Sequence, residues 1–169
     1  VQAMPNASDW FDKGGFEAEL SDLVACRTES QDPAQAPQLR RYLTEAMGPR
    51  LEALGIACTI HDNPDPRGGP LLIGVRIEDP ALPTILTYGH GDVIRGQDDA
   101  WRAGLSPFHL VREGDRLYGR GTADNKGQHL INFAALRTVL AARGRLGFNL
   151  RVVLEMSEEN GSPGLAAFC

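Results

Sequence analysis

The sequence predicts an α/β fold, an α/β/α sandwich around a mixed central sheet. Three observations predict it. Two N-terminal stretches carry apolar residues at helical spacing, the period then changes to short β-rich runs, and a long apolar helix sits between the later runs. Helices followed by strands that alternate with a helix need stacked layers to bury both kinds of apolar face.

Residues 1–14 carry no strong pattern and read as an N-terminal arm, and residues 15–169 read as one domain. From Gly15 to Cys26, Phe16, Leu20, Leu23 and Val24 fall on one stripe and predict a first helix. Pro33 and Pro37 then punctuate a loop. A second helix follows from the spacing of Leu39, Tyr42, Leu43, Ala46, Met47, Leu51 and Leu54, and it stops at Gly55. Gly48-Pro49 lies inside that pattern. Proline lacks the N–H and its ring crowds the preceding turn, so a kink is expected there.

Ile56, Cys58 and Ile60 alternate as a strand does, Asn63 to Pro70 is a turn-rich break, and Leu71 to Ile77 is a second strand. Thr84, Ile85, Leu86 and Thr87 predict a short buried strand running to Tyr88. Phe108–Val111 and Arg116–Tyr118 flank Glu113-Gly114-Asp115, a hairpin signal. Lys126 to Arg143 is apolar almost all round, with Leu130, Ile131, Phe133, Ala134, Leu136, Val139 and Leu140, and predicts a buried helix. Leu150 to Met156 is an apolar strand that runs out into two glutamates and a Gly-Ser-Pro-Gly turn.

Composition removes several classes of function. The 169 residues include 17 basic and 22 acidic side chains, a formal charge of −5, which argues against a protein that binds nucleic acid by neutralising phosphates. Hydrophobic residues make up 42% and charged residues 23%, ordinary globular usage that excludes a disordered chain. No apolar run approaches the roughly 20 residues of a membrane helix, and Val1-Gln2-Ala3-Met4-Pro5 lacks the build of a secretion signal. No membrane partner is therefore expected. Cys26, Cys58 and Cys169 are odd in number and widely spaced, which fits a reducing compartment, the cytoplasm, rather than a disulfide framework or a cysteine–zinc site.

Three clusters that could do chemistry each follow a strand, where ligand sites of α/β sheets gather. The first is Gly89-His90-Gly91-Asp92. In extended backbone His90 and Asp92 project to the same side, and a metal-bound histidine commonly gives its other ring N–H to a carboxylate. A solvated turn with a satisfied histidine is the structural alternative. The second is Gly119-Arg120-Gly121-Thr122-Ala123-Asp124-Asn125-Lys126-Gly127. Its glycines permit close backbone approach, and Asp124 is either a ligand or simply a cap of the helix that follows. The glycine spacing matches no nucleotide loop.

The third is Glu158-Glu159. Adjacent carboxylates in an extended segment point to opposite sides, so one suits a metal and the other a general base, unless both are a solvated strand end. Together the histidine, aspartate and glutamates make an oxygen-and-imidazole set suited to zinc. His61, His109 and His129 have no carboxylate at ligand spacing and read as surface or packing residues. Ser106 and Ser162 lack a nucleophile-elbow context, and Cys26 follows the first helix's core pattern.

These residues resemble a known family. The succession Gly89-His90-Gly91-Asp92-Val93, Trp101, Pro107-Phe108, Leu117-Tyr118-Gly119-Arg120-Gly121, Asp124 with Lys126-Gly127, and Glu158-Glu159 with Gly161-Ser162 is similar to the co-catalytic di-zinc hydrolases. That family includes carboxypeptidase G, acetylornithine deacetylase, succinyl-diaminopimelate desuccinylase, aminoacylase and carnosine-type dipeptidases. The stretch Thr122 to His129 looks closest to the dipeptidase-like branch. The resemblance implies that His90 binds one zinc, that Asp124 bridges both ions, and that Glu159 binds the second. It makes Glu158 the general base and Asp92 the residue that orients His90. It also implies a cis peptide at Asp124–Asn125. The substrate implied is a small peptide or N-acyl amino acid, cleaved by metal-activated water.

The family's members are longer, so the resemblance implies a truncated sandwich, with further zinc ligands and a smaller lid domain belonging to residues outside this sequence. By itself this stretch is expected to bind zinc weakly and to hydrolyse little, because it offers fewer ligands per ion than a catalytic zinc keeps. An unpaired sheet edge and uncovered apolar surface are expected as well, a route to a homo-oligomer. A non-catalytic binding or structural module that retains the fold is the alternative function, and a mononuclear zinc site completed by His109 or His129 is a third.

Overall fold

A computed structural model describes residues 7–169. In chain order the elements are α1 (Ala7–Asp12), α2 (Gly15–Ala25), α3 (Ala36–Arg41), α4 (Gly48–Glu52), β1 (Ala57–His61), β2 (Leu71–Arg76), β3 (Thr84–His90), β4 (Val111–Glu113), β5 (Arg116–Tyr118), α5 (Lys126–Arg143), β6 (Asn149–Glu155) and α6 (Leu165–Phe168). The segment read as an arm contains α1, whose Trp10 packs edge-on to Phe16 at 5.7 Å. Residues 1–6 of that segment lie outside the described residues.

The predicted second helix is α3 and α4 joined through a wider π turn, Tyr42–Met47. The cause is local. Pro49 cannot donate to the turn before it, and the Gly48 N–H reaches back five residues to the Leu43 carbonyl. The helix thus absorbs the proline by widening, and Leu39, Tyr42, Leu43, Met47 and Leu51 all remain buried. The hairpin forms as expected, with Gly114 at φ 61° in its turn.

Four strands form a mixed sheet in the order β1-β2-β6-β3, antiparallel except for β6 against β3. The register decides which face is covered. Leu72 and Gly74 stand opposite Leu154 and Val152, which stand opposite Gly89 and Thr87. On that face Leu72, Leu150, Val152 and Leu154 join Leu20, Leu23, Leu43, Met47, Leu130 and Phe133 in one core. The opposite face carries Ile73, Val75, Val153, Glu155, Leu86 and Tyr88; among the described helices α6 reaches it, through Phe168 against His61 at 5.2 Å, and Ser157 and Ser162 meet it at Glu155. Among the described residues the second helical layer is therefore α6 alone, and Leu86 stands 65% exposed on β3, at the sheet's edge.

Two expectations need correction. The Thr84–Tyr88 strand is not buried: β3 lies at the edge of the sheet, and Ile85, Leu86 and Tyr88 on it are exposed. Helix α5 is not buried all round: Leu130, Phe133 and Ala134 face the core, whereas Ile131 is 60% exposed. Its inner stripe packs on α2 and the sheet, and no described element covers the opposite stripe.

Candidate active site

Parallel pairing of β3 with β6 brings both strands to an end on the same side of the sheet, with His90 and Glu155 as register partners. The residues that follow each strand meet there. The Gly91 N–H donates to the Glu155 carbonyl at 2.9 Å, and buried Asp92 turns its carboxylate toward the chain after β6. The Glu158 N–H donates to Asp92 Oδ1 at 3.2 Å and the Glu159 N–H to Oδ2 at 3.1 Å. Those two bonds wind Glu158–Asn160 into a short 3-10 turn. The turn is held from the other side by Asn160 Nδ2 on the Ser30 carbonyl and Gln31 Nε2 on the Glu159 carbonyl.

Buried His90 sits among carboxylates. Its Nδ1 donates to the Asp92 backbone carbonyl at 3.1 Å and lies 3.5 Å from the Asp92 carboxylate. Its Nε2 is 3.0 Å from Asp124 Oδ1 and 4.0 Å from Glu158 Oε2. Burial works against charge on this ring, but the bonds to Asp92 and Asp124 outweigh it and push its pKa up to about 9. Glu159 is shifted up, chiefly by burial. One ligand atom each from His90, Glu158 and Glu159 lies within 4.8 Å of the others, the one such group among the described residues. Asp124, 73% exposed at its side chain, reaches the same imidazole nitrogen from the segment before α5. The Asp124–Asn125 peptide is cis, as the resemblance implied.

All five singled-out residues, His90, Asp92, Asp124, Glu158 and Glu159, thus come together, with one difference from the reading of spacing alone and one of its two alternatives for Asp124 set aside. The glutamates do not project to opposite sides, because the turn wound on Asp92 is not extended backbone. Asp124 does not cap α5: the helix begins after Asn125 without a side-chain cap, and the Asp124 carboxylate faces His90 instead. His109 is exposed and His129 buried, and neither joins the group. Ser162 donates to Glu155 at 2.8 Å and has no histidine partner.

Several supporting residues escaped the sequence reading. Asn125 Oδ1 accepts from the His90 N–H at 3.2 Å. Lys126 is wholly buried, its ammonium donating to the carbonyls of Leu23 at 2.9 Å and Cys26 at 2.8 Å at the end of α2. Carbonyls at a helix C-terminus lack intrahelical donors, so this lysine ties the end of α2 to the start of α5. Burial pulls its pKa down to about 7. His129, read from the sequence as a surface or packing residue, packs: it fills the space that Gly89 leaves empty, where a Cβ would stand 2.6 Å from His129 Nε2. A polar residue in an otherwise buried strand or helix face was the available signal, and it applied to Glu155 as well as to His129.

A mixed sheet with imidazole and carboxylates gathered beyond its parallel strand ends makes an α/β protein with a candidate metal centre. The sequence signature of peptidase family M20/M25/M40 matches residues 86–169, the part that contains the whole cluster, and the chain belongs to that family. The Beta-Ala-His dipeptidase of Mus musculus is 35% identical over 162 residues, covering 89% of this chain and 32% of that protein. The acetylornithine deacetylase of Dictyostelium discoideum is 32% identical over 177 residues, covering 95% of this chain and 39% of that protein. The crystal structure of human carnosine dipeptidase 1 superimposes with a TM-score of 0.85 at 27% identity, over 96% of this chain and 36% of that one. The chain thus spans 32–39% of the length of these relatives. No helix among the described residues is long and apolar enough to cross a membrane.

Proposed function

We propose that this chain is the N-terminal, metal-binding portion of a zinc-dependent peptidase or amidohydrolase that cleaves the amide bond of a dipeptide or an N-acyl amino acid. The convergence of His90, Glu158 and Glu159, with Asp124 on the same imidazole, carries the reading. The donor chemistry fits the metal: one imidazole nitrogen and several carboxylate oxygens suit zinc. His90 and Asp124 would hold one ion, and Asp124 and Glu159 a second.

When bound, zinc supplies Lewis acidity that polarises the scissile carbonyl and acidifies water. The rest is the work of the protein's own side chains. Glu158, the partly exposed member of the cluster, takes the proton of the attacking water and returns it to the leaving amine. Asp92 fixes the ring of His90 through Nδ1 and leaves Nε2 facing the cluster. The unpaired state of Cys26, Cys58 and Cys169 supports a reducing, cytoplasmic setting.

Calorimetric zinc titration of the chain, with Asp124→Ala as control, tests the metal reading. Saturable binding lost in the variant is expected, and equal binding by both would overturn the assignment of Asp124. Dipeptide and N-acyl amino acid hydrolysis is then measured after addition of the C-terminal remainder of the family's catalytic domain. Turnover abolished by Glu158→Gln is expected, whereas a folded, metal-loaded complex without turnover would favour a non-catalytic module.

A further inference from the structure

Glu155 ends β6 with its side chain fully buried, yet the proposed chemistry makes no use of it. Its carboxylate is the acceptor for hydroxyls from three places in the chain. Oε1 accepts from the phenol of Tyr88 on β3 and from Ser162 Oγ at 2.8 Å, and Oε2 lies 3.5 Å from Ser157 Oγ. Ser157 and Ser162 bracket the turn that carries Glu158 and Glu159, and the Ser162 N–H closes it by donating to the Ser157 carbonyl at 3.0 Å. Ser162 also holds a left-handed backbone, φ 51°, which a non-glycine residue keeps only where its surroundings fix it.

We propose that Glu155 is a positioning residue of the candidate site: gripping Ser162 and Ser157, it fixes the turn from below while Asp92 fixes it from the side. Two buried carboxylates then set where the glutamate pair stands relative to His90. Asp92 holds the backbone N–H groups at the start of the turn, and Glu155 holds the hydroxyls at its two ends. Tyr88 adds β3 to the same carboxylate, so the strand that delivers His90 and the turn that delivers the glutamates share one anchor. The inference rests on reading Glu158 and Glu159 as site residues, but the positioning itself can be measured without metal.

Amide hydrogen exchange at Glu158 and Glu159, read by NMR, is compared in the wild type, Glu155→Gln, Ser162→Ala and Ser162→Gly. Urea midpoints report global stability alongside. With midpoints held within error, both amides are expected to exchange at least about tenfold faster in Ser162→Ala and Glu155→Gln, the effect of one lost charge-assisted hydrogen bond. Ser162→Gly is expected to exchange as fast as Ser162→Ala, because the hydroxyl and not the backbone angle is the anchor. Wild-type exchange in Ser162→Ala, or in Ser162→Gly alone, would overturn the proposal, and this arm stands even where Glu155→Gln does not fold.

Cobalt(II) titration followed by visible absorption supplies a second readout. A weakened and altered cobalt spectrum is expected in Ser162→Ala at unchanged urea midpoint, and a wild-type spectrum and affinity would count against positioning. If the wild type itself binds no cobalt, the metal reading fails, while the exchange result still decides the role of Glu155.

Discussion

Replacing His129 with leucine removes a ring that is 4% exposed and whose two nitrogens both lack a hydrogen-bond partner. Burial, reinforced by the nearby cations His90 and Lys126, lowers its pKa to about 3 from the ordinary 6.5. The unfolded chain therefore binds a proton that the folded chain refuses between those values, and folding stability falls as pH falls through that window. From pH 7 to pH 4.5 the loss amounts to about 2 to 3 kcal/mol for this one group. His90 does not mask it. Its folded pKa lies above the unfolded one, so its contribution is already complete below about pH 6 and is lost only on going alkaline. Urea unfolding of wild type and His129→Leu at pH 7 and pH 4.5 measures the difference. The variant is expected to lose less stability on acidification by about 2 to 3 kcal/mol, and parallel losses in the two proteins would refute the argument.

Other perturbations have equally definite outcomes. A methyl added by Gly91→Ala would stand 2.4 Å from Tyr42 Cε1 and 2.8 Å from Met156 Sδ, so thermal unfolding is expected to show a destabilisation of about 1 to 3 kcal/mol. Asp92→Asn keeps the side-chain shape but gives the Glu158 and Glu159 N–H groups one acceptor oxygen in place of two, and zinc affinity by calorimetry is expected to fall about 10- to 100-fold. Leu43→Ala, at a fully buried position within the π turn, is expected to cost about 2 to 5 kcal/mol in urea unfolding.

Much of the fold was legible because periodicity and turn residues are local. The stripe of Leu20, Leu23 and Val24, the alternation from Ile56 to Ile60 and the Gly114 hairpin all formed where their spacing placed them. The proline at 49 announced an irregular helix, though its resolution as a π turn depends on which carbonyl Gly48 finds. The site was legible through residue types following strands, but its internal arrangement was not. That Glu158 and Glu159 turn to the same side depends on Asp92, a contact made across the sheet. Likewise the exposure of Ile131 follows from what packs on α5, which an apolar count along the helix does not contain.

The parallel pairing of β3 with β6 also bears on how the protein reaches its native state. Asp92 and Glu158 are 66 residues apart in the chain, and only completed pairing of the two strands brings them into hydrogen-bond distance. Contacts of that separation are among the last to repay the entropy of closing their loop. Before the sheet zips, the imidazole and the glutamates are strangers at the ends of a long flexible tether. A divalent ion with affinity for the assembled cluster would therefore select folded molecules and draw the population toward them by mass action, acting as a latch on the sheet as well as a reagent.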